Sequence, residues 1–198
     1  MKPLAGSLLA LILAIGITPP LQAWQTPLTI AGITAHSGER ATGFLVVPAA
    51  AGDTGTRLPF SILRGTAAGP TLALIGGTHG SEVAPIVALQ RVAAMVDLAA
   101  LRGTLLIIHV ANPPSFLGRT IYYSPVDGKN LNRMYPGNAV GTLSERIAHV
   151  ITSEIIERAD YLVDMHAGDG NESLRPYTYW NKLGLDPRVD SIARELAL

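Results

Sequence analysis

The stretch Thr71-Leu72-Ala73-Leu74-Ile75-Gly76-Gly77-Thr78-His79-Gly80-Ser81-Glu82 decides how the rest of the chain is read. Residues 71–75 are a short, uncharged, apolar run closed by two glycines, the pattern of a buried strand. From Glu82 to about Leu101 the apolar residues recur at helical spacing, with Ser81 placed to cap the helix and Pro85 in its first turn, where proline is tolerated. A strand that turns through glycines into a helix is one half of a β-α-β unit, so its partners are sought outward from it.

Toward the C-terminus, residues 104–110 form a second continuous apolar run, and residues 144–158 have helical periodicity with Glu145 in the first turn. Residues 161–165 read as a fifth buried strand, and a weak helix begins near Pro187. Toward the N-terminus, residues 28–34, 41–47 and 58–63 are strand-like segments between Gly-, Ala- and Asp-rich turns, an antiparallel start. The alternation predicts an α/β fold: a mixed, mainly parallel central sheet flanked by helices. In such sheets ligands sit beyond the carboxyl ends of the strands. Residues 112–141, rich in Pro, Gly, Asn and Tyr, form a long irregular segment of the kind that is usually functional.

The 198 residues suit one domain with a real core, and 48% apolar against 15% charged residues excludes a disordered chain. Fifteen basic residues balance fifteen acidic ones without a block of like charge, which argues against nucleic acid and leaves small molecules or peptides as partners. Lys2, the apolar run over residues 4–17, Pro19-Pro20 and then Leu21-Gln22-Ala23 read as a signal peptide over residues 1–23. The run is shorter than the about 20 residues of a membrane span, so a cleaved leader and a periplasmic or secreted protein are expected, without a stable span after cleavage. Residues 24–198 then form a single domain. Cysteine is absent, so any metal must be held by nitrogen and oxygen.

His79 and Glu82 stand three residues apart across the strand-to-helix turn, a separation at which both reach one cation. In Asp164-Met165-His166 the period-2 alternation sends Asp164 and His166 to one face, where the carboxylate is able to orient the imidazole from behind. Two His and one Glu leave a fourth position for water, the ligand count of catalytic zinc. Taken singly, His79 reads as a loop residue and Glu82 as an ordinary first-turn carboxylate. His109, His149 and His36 match no such pattern and read as a strand residue, a helix-face residue and a turn residue. In the long segment, Arg119, Asn132 and Arg133 are able to receive an anion, since a guanidinium grips a carboxylate bidentately; a solvated loop is the plainer reading.

Gly77-Thr78-His79-Gly80-Ser81-Glu82, then Asp127-Gly128-Lys129-Asn130-Leu131-Asn132-Arg133 with Tyr135-Pro136-Gly137, then Asp164-Met165-His166 resembles the succinylglutamate desuccinylase and aspartoacylase family of zinc carboxypeptidase-like proteins. The resemblance runs from about residue 69 to 169, with the motifs in family order. It implies one Zn2+ held by His79, Glu82 and His166, a substrate carboxylate held by Asn132 and Arg133, and a scissile carbonyl polarised by Arg119. The implied reaction is hydrolysis of an amide beside a free carboxylate by a zinc-activated water, as a carboxypeptidase or an N-acyl amino acid deacylase. The family's downstream catalytic glutamate has no match here. Glu172 reads as a loop carboxylate, and a C-terminally incomplete chain is the expected explanation. Two other readings stand beside the hydrolase: a catalytically impaired zinc module that binds carboxylate-bearing peptides or acyl amino acids, and a metal-free α/β domain, which requires His79 and His166 to lie apart.

Overall fold

The computed structural model describes residues 26–182 and 184–198; the expected leader, residues 1–23, lies outside them. Residues 28–34 do not form one strand. Ala31 and Gly32 take positive φ (48° and 79°), which folds the segment into a hairpin of β1 (Leu28–Ile30) and β2 (Ile33–Ala35). Two consecutive residues at positive φ make the tight turn whose twist matches the flanking strands.

The main sheet contains β3 (Arg40–Val47), β4 (Thr56–Arg64), β5 (Ala67–Gly76), β6 (Arg102–Ile108) and β7 (Tyr161–Met165) in the order β3-β4-β6-β5-β7. It is mixed, as the sequence suggests. β3, β4 and β6 pair antiparallel, while β6, β5 and β7 are parallel. Parallel neighbours need crossovers, and these are supplied by α1 (Val83–Met95) between β5 and β6 and by α3 (Leu143–Glu154) between β6 and β7. A short helix, α2 (Pro113–Gly118), and a 3-10 turn (Leu131–Arg133) interrupt the long irregular segment, and α4 (Pro187–Ala197) closes the described chain. Among the described residues no helix is long and apolar enough to cross a membrane.

The strand alternation sorts the apolar residues onto two faces. Ala73, Ile75, Leu106 and Ile108 pack with Leu143, Ile147 and Ile151 of α3, while Ile107 and Leu74 pack with Leu89 and Val92 of α1. α3 starts at Thr142, whose N–H and hydroxyl both donate to Glu145 (2.8 and 3.0 Å). α1 ends at Met95 rather than near Leu101: Val96 is extended, and Asp97 accepts the Ala99 N–H at 2.9 Å, a local turn that competes with the helix. β7 is not a buried strand. It lies at the edge of the sheet among the described residues, and Leu162 is 43% exposed.

From β5 the chain crosses to β6 on one side, and from β6 it returns over β5 to β7 on the other. The carboxyl end of β5 is therefore the point at which the strand order reverses, where a doubly wound sheet opens a crevice.

Candidate metal centre

The loop leaving β5 carries His79 and Glu82 into that crevice. Gly77 turns it with φ at +72°, and a Cβ on Gly80 would overlap the Ser115 carbonyl, so the loop depends on glycine at both points. Asn112, fully buried beyond β6, stitches it down: the Asn112 N–H donates to Gly77 O (2.9 Å) and its amide nitrogen to Thr78 O (3.4 Å). Glu82 occupies the N-cap position of α1 but makes no cap hydrogen bond, and Ser81 does not cap either. The Ser81 hydroxyl donates instead to Asp169 (3.3 Å), and the Glu82 carboxylate is turned toward the imidazoles.

The structure brings His79, Glu82 and His166 together, with one ligand atom from each inside a span of 4.8 Å. His79 Nδ1 is 2.7 Å from Glu82 Oε1, and His166 Nδ1 is 2.9 Å from Oε2, which also accepts the Ala167 N–H at 3.2 Å. The two rings lie 5.0 Å apart. Behind each ring stands an oxygen acceptor: Asn130 Oδ1 is 3.2 Å from His79 Nε2, and Asp164 Oδ2 is 2.9 Å from His166 Nε2. Burial opposes ionisation of Glu82, yet hydrogen bonds from His166 and then His79 outweigh it and hold its pKa at about 2. Hydrogen bonds to Asp164 and then Glu82 push His166 up to about 10 against the effect of burial. Two imidazole nitrogens and an ionised carboxylate that converge on one point, with an acceptor behind each ring, are the donor set of a divalent cation such as zinc.

The remaining predicted residues lie on the long segment. Asn132 and Arg133 sit on the 3-10 turn, whose Leu131 is fully buried; Arg133 is exposed and pairs with no carboxylate among the described residues. Arg119 is exposed at the end of α2 with φ at 52°, lining an open recess with Thr120, Ile121, Tyr122 and Tyr123. It makes no salt bridge to the triad. Three contributors are absent from the sequence-level set. Asp127 fastens the segment to α3 by accepting from Ser144 N–H (2.7 Å) and hydroxyl (2.8 Å). Tyr122 sets its ring edge-on to His79 at 5.3 Å. Asn130 backs His79 from 51 positions away while its Oδ1 also accepts the Asn132 N–H. His109 lies just beyond β6 with Ser61 Oγ at 2.7 Å from Nε2, His149 is on α3, His36 is in a turn, and Glu172 is a loop residue that accepts the Asp169 N–H.

The family described as succinylglutamate desuccinylase/aspartoacylase catalytic domain matches residues 68–182, more than half of the chain. The N-alpha-acetyl-L-2,4-diaminobutyric acid deacetylase of Halomonas elongata is 32% identical over 139 residues, which cover 68% of this chain and 40% of that protein. Among solved structures, a succinylglutamate desuccinylase/aspartoacylase from Rhodobacter sphaeroides superposes with a TM-score of 0.71 at 30% identity, covering 80% of this chain and 49% of its own. The product-bound ectoine utilization protein EutE (DoeB) of Ruegeria pomeroyi gives 0.61 at 33% identity, covering 72% and 43%. A metallo-carboxypeptidase from Burkholderia cenocepacia, 19% identical with a TM-score of 0.50 and covering 70% and 38%, shares the fold. The chain thus spans less than half the length of these relatives. On the family match, the chain belongs to the succinylglutamate desuccinylase/aspartoacylase family.

Proposed function

We propose that this protein is a zinc-dependent hydrolase that cleaves an amide next to a free carboxylate, and specifically an N-acyl amino acid deacylase. The observation that carries the reading is the buried Glu82 carboxylate held between the Nδ1 atoms of His79 and His166. A bound zinc would supply an acidified attacking water and polarise the carbonyl. The chain's own residues do the rest. Asn130 and Asp164 offer an acceptor to the Nε2 side of each imidazole, which holds both rings turned with Nδ1 inward. Asn132 and Arg133 receive the substrate carboxylate, and Arg119 is assigned to the oxygen on which negative charge develops. Deacylation is preferred over peptide cleavage because the Halomonas elongata relative is named a deacetylase. An exported, periplasmic or secreted location is proposed on the leader-like residues 1–23 alone.

A second reading, a zinc-containing module that binds acyl amino acids or peptides without turnover, draws on the carboxylates around the triad. Asp164, Asp169 and Glu172 each already accept a hydrogen bond. The test is elemental zinc content of the full chain together with release of free amine from N-acetyl amino acids, their carboxamides and dipeptides. About one zinc per chain and chelator-sensitive deacetylation that needs the free carboxylate is the expected result. Zinc without turnover selects the binding module, and a folded protein without zinc removes both readings.

A further inference from the structure

Residues 119–130 run from the end of α2 to the buried Leu131 as turns, bends and irregular backbone, so their shape depends on individual hydrogen bonds. Residues 124–129 close on themselves: the Ser124 N–H donates to Lys129 O and the Gly128 N–H to Ser124 O, each at 2.9 Å. The Asp127 carboxylate braces this closed turn by accepting the Lys129 N–H on Oδ1 at 3.2 Å. It also reaches out of the segment to the first turn of α3, where Oδ2 accepts the Ser144 N–H (2.7 Å) and Oδ1 the Ser144 hydroxyl (2.8 Å). Ser144 is fully buried, so the grip is on a fixed point. Burial opposes ionisation of Asp127, yet the hydrogen bonds from Ser144 outweigh it and hold the carboxyl below its ordinary range. The helix itself has no need of this group, because Glu145 already closes its start with Thr142. A second rung, Lys129 to Glu145 at 3.0 Å, joins the same two elements.

We propose that Asp127 is a positioning residue for the substrate side of the metal centre. Its grip on Ser144 holds the closed turn against α3 and so aims the two stretches that leave that turn, residues 119–123 with Arg119 and residues 130–133 with Asn132 and Arg133. The inference rests on the reading of Asn132 and Arg133 as the carboxylate-binding pair. Without the grip, the nearest anchors are the Thr120 N–H on Ser115 O (3.1 Å) at one end and Leu131 in the core at the other.

The experiment compares the full-length wild type with Asp127→Ala and with Ser144→Ala, which loses the hydroxyl and keeps the N–H. Two quantities are read: amide hydrogen exchange of the zinc-free protein, and affinity of the zinc-loaded protein for N-acetylglycine and for N-acetylglycinamide. In Asp127→Ala the amides of Ser124, Gly128, Asn132 and Arg133 are expected to exchange about tenfold faster, with those of β5 and β6 unchanged. The preference for the free acid over the carboxamide is expected to fall about tenfold while zinc content stays the same. Ser144→Ala should move both readouts in the same direction by less, and it decides the matter if Asp127→Ala does not fold. Faster exchange confined to the first turn of α3 would make Asp127 a helix cap and overturn the proposal. So would an undiminished preference for the free acid in a variant whose segment exchanges faster, or wild-type exchange in both variants. A wild type that binds acid and carboxamide equally counts against the carboxylate reading alone, and the exchange pattern then decides the role of Asp127 by itself.

Discussion

His79 and His166 contribute the same atom to the same carboxylate from opposite situations. His79 is 6% exposed, on the loop leaving a strand with neighbours on both sides, and a neutral amide stands behind it. His166 follows the edge strand, its side chain is 31% exposed, and a carboxylate stands behind it. Packing positions the first and charge positions the second. The difference follows from the topology, because the edge strand offers fewer side chains to lock a ring and leaves more of the work to an ion pair.

The largest expected effect breaks the centre from either side. His79→Ala and His166→Ala should each reduce bound zinc from about one per chain to none by elemental analysis, since a catalytic zinc site of three protein ligands does not hold stoichiometric metal with two. Full zinc in His166→Ala would remove the edge histidine from the ligand set and end the comparison. The companion expectation is that both variants lower the stability of the zinc-free protein at neutral pH, His79→Ala by emptying a buried ring's place and His166→Ala by stripping the ion pair from the buried Glu82 carboxylate.

Changes in the two strands that lead to the rings sharpen the contrast in rigidity. Ile75, 2% exposed on β5 just ahead of the ligand loop, should cost about 2–5 kcal/mol when cut to Ala. Leu162, 43% exposed on β7, should cost within about 0.5 kcal/mol. Urea unfolding of the two variants against wild type measures both. Similar costs would show that β7 is packed as firmly as β5 in solution and that the contrast between the two histidines has another origin.

The sequence was most readable where one local pattern determines the outcome. The apolar runs at 71–75, 104–110 and 161–165 mark β5, β6 and β7 because they are too short for a helix and rich in residues that suit strands, and Glu145 marks the start of α3 because its carboxylate closes a local ring with Thr142. It was less readable where a residue's partner is remote. Ser81 has the composition of a cap, but its hydroxyl meets Asp169, 88 positions away, and Glu82 gives up capping for the imidazoles. The break at Ala31 was hidden because alanine carries no signal for positive φ. The place of β7 at the edge depends on strand order, which periodicity does not encode. Asp164 and His166 share a face by alternation alone, whereas Asn130 reaches His79 only after the long segment has folded against α3.

The smallest effect tests the charged half of the contrast directly. Asp164→Asn keeps an oxygen for His166 Nε2 and places an amide nitrogen near Thr78 Oγ1, which now donates to Asp164 Oδ1 at 3.4 Å. Geometry is therefore largely retained, and what is removed is the ionised character of the acceptor whose hydrogen bond is the first cause of the upward shift of His166 to about 10. A backing carboxylate makes the imidazole a stronger donor to a cation, so zinc affinity should fall. The site is partly exposed and water screens the charge, so the loss should lie near the lower end of the usual range, about tenfold by chelator competition. Raising ionic strength should shrink the difference between wild type and variant further. An affinity equal to that of wild type at low salt would mean that an amide backs the edge histidine as well as a carboxylate does, and that Asn130 and Asp164 differ in chemistry but not in effect.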